Sequence, residues 1–129
     1  MSSIKREDFA DLTGVPVLVV DDAWHVAIAM QSTLEQLGMH VIGPTATAGE
    51  AKRLMVEKNP KVALVDINLK GETAYSLIDE LHAQGVQVIV VSGYAILPLS
   101  KERVAAFLQK PFSESELVTK LRAVVRLAR

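Results

Sequence analysis

Short apolar runs alternate with longer stretches of helical period along the chain. The runs are Val15 to Val20, His40 to Gly43, Val62 to Val65, Val86 to Val91 and Ala105 to Leu108. Most are rich in Val and Ile, and several are apolar at nearly every position. That pattern suits strands covered on both faces better than strands with one wet face. Between them, Trp24 to Leu37 sets Val26, Met30, Thr33, Leu34 and Leu37 on one side and predicts a helix stopped by Gly38. Ala48 to Lys58 predicts a second helix, ended by Asn59-Pro60. Thr73 to Gln84 predicts a third, with Leu77, Ile78 and Leu81 inward and Gly85 closing it. Ser113-Glu114-Ser115-Glu116 fits a capping box for the last helix, whose inner face carries Leu117, Leu121, Val124 and Val125. Tyr94 to Val104 holds Pro98 and few apolar residues, so a short or irregular helix is expected there at most.

Strands and helices in strict alternation predict a parallel sheet with right-handed crossovers, hence a doubly wound α/β sandwich. Five strands favour the flavodoxin-like (βα)5 arrangement with strand order 2-1-3-4-5. In that order the carboxyl ends of the first and third strands meet at the topological switch point, where ligands bind. The 129 residues are enough for one domain, expected over residues 15–129. The first 14 residues are polar and are expected to form a tail rather than an extra helix.

Composition narrows the chemistry. There is no cysteine, which excludes thiol nucleophiles, zinc–thiolate sites and disulfides. Net charge is −1, from 14 basic and 15 acidic residues, so no polybasic surface for nucleic acid or anionic lipid is indicated. No apolar run approaches the roughly 20 residues needed to cross a bilayer, and the amino terminus lacks the apolar stretch of a signal peptide. A cytoplasmic location is the simplest expectation.

The expected strand ends are mostly acidic. The first ends in Asp21-Asp22 and the third in Asp66, while the fourth ends in Ser92-Gly93 and the fifth in Lys110-Pro111. Carboxylates brought to one edge repel one another unless a cation sits among them. An all-oxygen set suits Mg²⁺, and no histidine or cysteine is placed to recruit a softer metal. A lysine and a hydroxyl on the same rim add donors for an anion, so residue types alone suggest a Mg²⁺-dependent phosphoryl site. Each residue also has a plainer reading. Asp21 or Asp22 could cap the first helix, Asp66 a turn into Gly71, and Lys110 could be an extended residue before proline. His25, His40 and His82 are scattered over separate elements and read as surface or core residues. The coincidence on successive strand ends favours a site.

With these residues in place, the chain resembles the receiver domain of two-component response regulators from about Val15 to Arg126. The likeness rests on Asp21-Asp22 after Val-Leu-Val-Val, Asp66 ending Val-Ala-Leu-Val-Asp, the hydroxyl of Ser92-Gly93, and Gln109-Lys110-Pro111-Phe112. The resemblance implies Asp66 as phosphoacceptor, with Mg²⁺ held by Asp21, Asp22, Asp66 and the backbone carbonyl of Asn68. It implies Ser92 and Lys110 as phosphoryl-binding groups, Ser92 and Phe107 as the switch pair, and a cis bond between Lys110 and Pro111. It further implies a signalling domain rather than a classical enzyme, phosphorylated by a histidine kinase or a histidine phosphotransfer protein. Trp24 and Phe112 border the rim where such a partner would dock.

Several positions depart from the family pattern. Lys70 stands four residues after the acceptor where proline is frequent, and Phe107 replaces the commoner tyrosine. The short connection from Ser92 to Lys110 leaves little room for a full fourth helix. Ser92-Gly93-Tyr94 resembles a receiver subclass with Phe-Ala-Thr-Gly-Tyr at this strand, although Val90-Val91 replace its first two residues. A phosphohydrolase of the aspartyl-phosphate kind would want an aspartate two residues after the nucleophile, and Asn68 cannot supply that proton transfer. A receiver-like module that docks without being phosphorylated is the other rival. No output segment follows the last helix, so the expectation is a stand-alone receiver, a phosphate relay or sink, or a piece of a hybrid kinase or longer regulator.

Overall fold

The computed structural model describes residues 9–69, 72–93 and 103–127. In chain order the elements are β1 (Pro16–Val20), α1 (Trp24–Gln36), β2 (His40–Thr45), α2 (Ala48–Lys58), β3 (Val62–Asp66), β4 (Asn68–Leu69), β5 (Glu72–Thr73), α3 (Tyr75–Ala83), β6 (Gln87–Ser92), β7 (Ala106–Gln109) and α4 (Glu114–Leu127). The main sheet is parallel, in the order β2-β1-β3-β6-β7, with β4 and β5 forming a separate antiparallel pair. Counting the five long strands alone, the order is 2-1-3-4-5, the doubly wound arrangement. The irregular helix expected over 94–104 falls for the most part outside the described residues.

Each central strand contributes alternate side chains to two cores, which is why its sequence is apolar throughout. Leu18, Val20, Ala63, Val65, Val88 and Val90 face α2 and α3, meeting Ala51, Met55, Leu77, Ile78 and Leu81. Val17, Val19, Val62, Leu64, Ile89 and Val91 face α1 and α4, meeting Met30, Leu34, Leu117, Leu121, Val124 and Val125. Two details of α1 differ from the expected face. Ala27 is fully buried, whereas Val26 is only half-buried and Thr33 likewise. The small alanine lets α1 approach the sheet closely, which leaves its β-branched neighbours at the margin.

The domain also begins earlier than expected. Leu12 is fully buried in the α1/α4 core, and Phe9 packs against the same cluster. Gly14 N–H donates to Gly38 O at 2.8 Å, and Asp11 pairs with Arg122 of α4 at 3.1 Å. Residues 9–14 are therefore part of the packed unit rather than of a tail. A single well-placed leucine has no period, which is why sequence pattern does not detect it. Among the described residues, no helix is long and apolar enough to cross a membrane.

Helix ends follow local chemistry. Thr47 Oγ1 accepts the Glu50 N–H at the start of α2, and Asn59 in the left-handed conformation ends it. Ser113 and Glu116 form the reciprocal capping box of α4. β2 runs two residues past Gly43 through a bulge, since Leu18 pairs with Ile42 but Val20 pairs with Thr45. Gly43 is required there: its φ is +91°, and a Cβ would lie 2.9 Å from Thr45 N.

Candidate functional site

Register brings the site together. Val20 pairs with Val65, so Asp21 and Asp66 leave the sheet side by side. Ser92 pairs with Gln109, so Lys110 emerges beside them, with its N–H donating to Ser92 O at 2.7 Å. The β2 bulge helps from the other flank, because it carries Thr45 O to 3.0 Å from Asp21 N–H.

The two strand-end aspartates then adopt the same local turn. Asp21 Oδ1 accepts the Ala23 N–H at 2.9 Å, and Asp66 Oδ1 accepts the Asn68 N–H at 3.0 Å. Both are side chain to i+2 contacts, the Asx-turn habit that makes aspartate a natural strand terminator. Neither Asp21 nor Asp22 is the cap of α1. The N-cap residue is Ala23, with no side-chain hydrogen bond.

Asp21, Asp22 and Asp66 each place a carboxylate oxygen within 4.8 Å of the others. Asp21 and Asp66 are buried and Asp22 is half-buried. Lys110 Nζ lies 3.0 Å from Asp66 Oδ2 and 3.4 Å from Asp21 Oδ2. Three carboxylates against one ammonium leave a surplus of two negative charges. The protein shows the strain of this arrangement at Asp21. Burial pushes its carboxyl above the ordinary value and the neighbouring Asp66 adds to that, against the opposing pull of the Ala23 N–H and Lys110. Burial alone would lower the Lys110 ammonium, but the hydrogen bond to Asp66 and both carboxylates outweigh it and hold it above its ordinary value.

The donor set is all oxygen, which fits a hard divalent cation and not a soft one. Asn68 follows this set closely in the chain, and its backbone is fixed by the neighbouring hairpin. It pairs with Thr73 in the β4–β5 hairpin, while Ala74 N–H donates to Ile67 O at 3.0 Å. In an antiparallel ladder, bonded and non-bonded positions alternate, so Asn68 occupies a non-bonded one with N–H and C=O both turned from its partner. Its N–H donates to Asp66 Oδ1 at 3.0 Å. This hairpin is absent from the sequence-level expectation, which started the third helix at Thr73 rather than Tyr75. The Asp-x-Asn spacing is the one local signal that could have suggested it.

Ser92 is buried, and it lies two residues beyond Val90, the partner of Phe107. Ser92 and Phe107 therefore face the same side of the sheet. Phe107 is half-buried and packs on the α2/α3 core. The Lys110-Pro111 peptide is cis, and so is Gly43-Pro44, for which the sequence reading carried no expectation. Beside the acidic cluster, a groove of about 640 Å³ runs between α1 and α4, lined by Val26, Met30, Lys110, Pro111, Phe112 and Leu117 among others. Trp24 stands at the start of α1 with 68% of its surface exposed. It is not part of the groove lining.

Comparison with known proteins agrees with this geometry. Residues 17–122 match the family model of the response regulator receiver domain. The chain is 30% identical over 115 residues to the transcriptional regulatory protein FixJ of Azorhizobium caulinodans, covering 84% of this chain and 54% of that protein. It is also 30% identical over 122 residues to the C4-dicarboxylate transport transcriptional regulatory protein DctD of Pseudomonas aeruginosa, covering 88% of this chain and 26% of that one. The chain thus spans about half or less of these relatives. A CheY-like receiver domain protein from Methanospirillum hungatei superposes with a TM-score of 0.82 at 27% identity, covering 90% of this chain and 97% of that one. With the strand order, the acidic edge and the family match in agreement, the chain belongs to the receiver domain family of two-component response regulators.

Proposed function

We propose that this domain is a phosphorylation-dependent switch in which Asp66 is the acceptor. The observation that carries the proposal is the contact of the Asp66 carboxylate with Lys110 at 3.0 Å inside a cluster of three carboxylates. An Asp66 oxygen attacks the phosphorus of a partner's phosphohistidine. An O–P bond forms, the N–P bond breaks, and the imidazole leaves with the electron pair and takes up a proton. Attack of an anion on an anion demands charge neutralisation, so the protein contributes mostly position and electrostatics. Asp21, Asp22, Asp66 and the Asn68 carbonyl would hold Mg²⁺, which when bound supplies positive charge against the phosphoryl oxygens. Lys110 binds a phosphoryl oxygen from the other side.

Ser92 would bind a second phosphoryl oxygen through its hydroxyl. Its inward movement vacates volume on the sheet face it shares with Phe107. Phenylalanine has no hydroxyl to offer a backbone partner, so the change rests on packing. Coupling of this kind is typically worth about 1–3 kcal/mol. The phosphoryl donor would be a histidine kinase or histidine phosphotransfer protein, docked over the α1/α4 groove with Trp24 and Phe112 as apolar anchors. The output runs through contact with a further protein; service as a phosphate relay or sink uses the same chemistry.

The decisive experiment is labelling with a small phosphodonor, acetyl phosphate, in Mg²⁺. Asp66→Asn abolishes labelling while the far-ultraviolet circular dichroism stays native. Labelling at wild-type yield in that variant would place the acceptor elsewhere.

A further inference from the structure

Buried polar groups in folded proteins almost always have a hydrogen-bond partner, so an exception calls for a reason. Among the described residues, the Thr45 hydroxyl is the buried side-chain polar atom with none. Thr45 ends β2 with 4% of its surface exposed, and its carbonyl already accepts the Asp21 N–H at 3.0 Å. An acceptor in the same corner of the sheet has the complementary lack. Asp21 Oδ1 and Asp66 Oδ1 each take a backbone N–H, from Ala23 and Asn68, and both Oδ2 atoms meet Lys110. The half-buried Asp22 carboxylate has no such partner among the described residues.

Strand register sets the two on one side. Thr45 pairs with Val20, whose side chain faces the α2/α3 core, and paired residues of neighbouring strands face alike. Asp22 follows Val20 by two residues, the offset that alternation directs to that same face. Residues offset by two across neighbouring strands lie about 7–8 Å apart. A hydroxyl, a carboxylate and the hydrogen bond between them fill that span.

We infer that Thr45 is a positioning residue of the acidic cluster, whose hydroxyl donates to Asp22 when that carboxylate ligates a divalent cation. The inference rests on reading the cluster as a divalent-cation centre. A carboxylate that holds a cation through one oxygen keeps the other for a donor, and this outer contact fixes its orientation. Asp21 and Asp66 have theirs from the backbone; Asp22 takes its own from Thr45. The hydroxyl therefore lowers stability in the cation-free protein and raises cation affinity. Valine would fill the same volume with no hydroxyl to desolvate.

The test titrates MgCl₂ alone, without phosphodonor, into the full chain, read by calorimetry and by thermal melts in EDTA and in saturating Mg²⁺. Thr45→Val keeps the shape and removes the hydroxyl. It is expected to melt above wild type in EDTA and to bind Mg²⁺ roughly ten-fold more weakly, the usual effect of losing such an outer contact. Its advantage in the melt then shrinks in Mg²⁺, because the wild type gains more from the ion. Thr45→Ser keeps the hydroxyl and is expected to bind Mg²⁺ with near wild-type affinity, although it melts lower in both conditions. Thr45→Ala removes the hydroxyl without adding a methyl and shares the loss of affinity. A residue that only fills space would leave all three variants at wild-type affinity. Unchanged or tighter Mg²⁺ binding by Thr45→Val would overturn this inference alone. So would a lower melt of that variant in EDTA, since the hydroxyl would then have a partner without the ion. Absence of Mg²⁺ binding to wild type would overturn the reading of the cluster as a cation centre, and this inference with it.

Discussion

The two ends of this sheet handle charge in opposite ways. At the end where β1 begins, Leu12 fills the α1/α4 core, and Asp11 meets one partner, Arg122, with Phe9 stacked at 5.7 Å from its guanidinium. Acid and base are matched one to one. At the carboxyl end, three carboxylates share a single lysine, and one of them, Asp21, is enclosed with its carboxyl pushed up by burial. The first arrangement leaves nothing for a ligand to do. The second carries more acid than base, the charge imbalance on which the proposed cation site rests. Balanced charge marks an end that holds the fold; surplus charge marks an end that works.

The contrast is broken most severely at the balanced end. Leu12→Ala removes a side chain with no exposed surface and leaves a cavity between α1 and α4. Such a substitution costs about 2–5 kcal/mol, which lowers the melting temperature of a domain this size by roughly 10 °C or more. Denaturant unfolding measures it directly. If residues 9–14 were a tail, the cost would stay below about 0.5 kcal/mol, as for ordinary surface positions.

At the surplus end the sign reverses. Asp21 has a native pKa raised above its ordinary value of 3.8, first by desolvation and then by Asp66. The native state therefore binds this proton more readily than the unfolded chain. Stability from this group is present below the ordinary value and is lost as pH rises through the raised native one. Asp21→Asn removes that loss. In EDTA near pH 7 it is expected to stabilise the protein by about 0.5–2 kcal/mol, the scale of favourable single substitutions, with no gain below about pH 3.8. In saturating Mg²⁺ the order inverts, because a proposed ligand is gone. Destabilisation in EDTA at neutral pH would mean the ion pair with Lys110 outweighs the burial cost.

This asymmetry also explains what could be read from sequence. The fold was legible because both faces of every central strand are covered, so Val62 to Val65 and Val88 to Val91 have no polar position to confuse the pattern. The residue types at strand ends were legible because a parallel sheet gathers them at one edge. Three features were not. Leu12 stands alone, without period. The β4–β5 hairpin is two residues on each side, too short for alternation to register. The β2 bulge looks like a strand end at Gly43, because a glycine and a proline in succession signal a turn; only the sheet context lets Thr45 pair again with Val20. The latter two hold backbone against the acidic cluster: Asn68 N–H donates to Asp66, and Thr45 O accepts the Asp21 N–H. The side chains gathered at the acidic edge were readable, and the backbone that aims them was not.

The finest test of the comparison lies in the Asp11–Arg122 pair. Both side chains are partly open to water, so the ion pair contributes at most about 1 kcal/mol, and the stacking on Phe9 about 0.5–1 kcal/mol more. Arg122→Ala also strips the aliphatic stem from α4. Arg122→Met keeps the stem and separates the two contributions. We expect a loss of about 1 kcal/mol for Arg122→Met. In a double-mutant cycle with Asp11→Ala, a coupling below about 1 kcal/mol is expected, shrinking in 1 M salt. Mg²⁺ affinity should not move in either variant, because the pair belongs to the balanced end and exchanges no partner with Lys110. A change in affinity would mean that α4 carries strain from one end of the sheet to the other, and the two ends could then no longer be treated as independent.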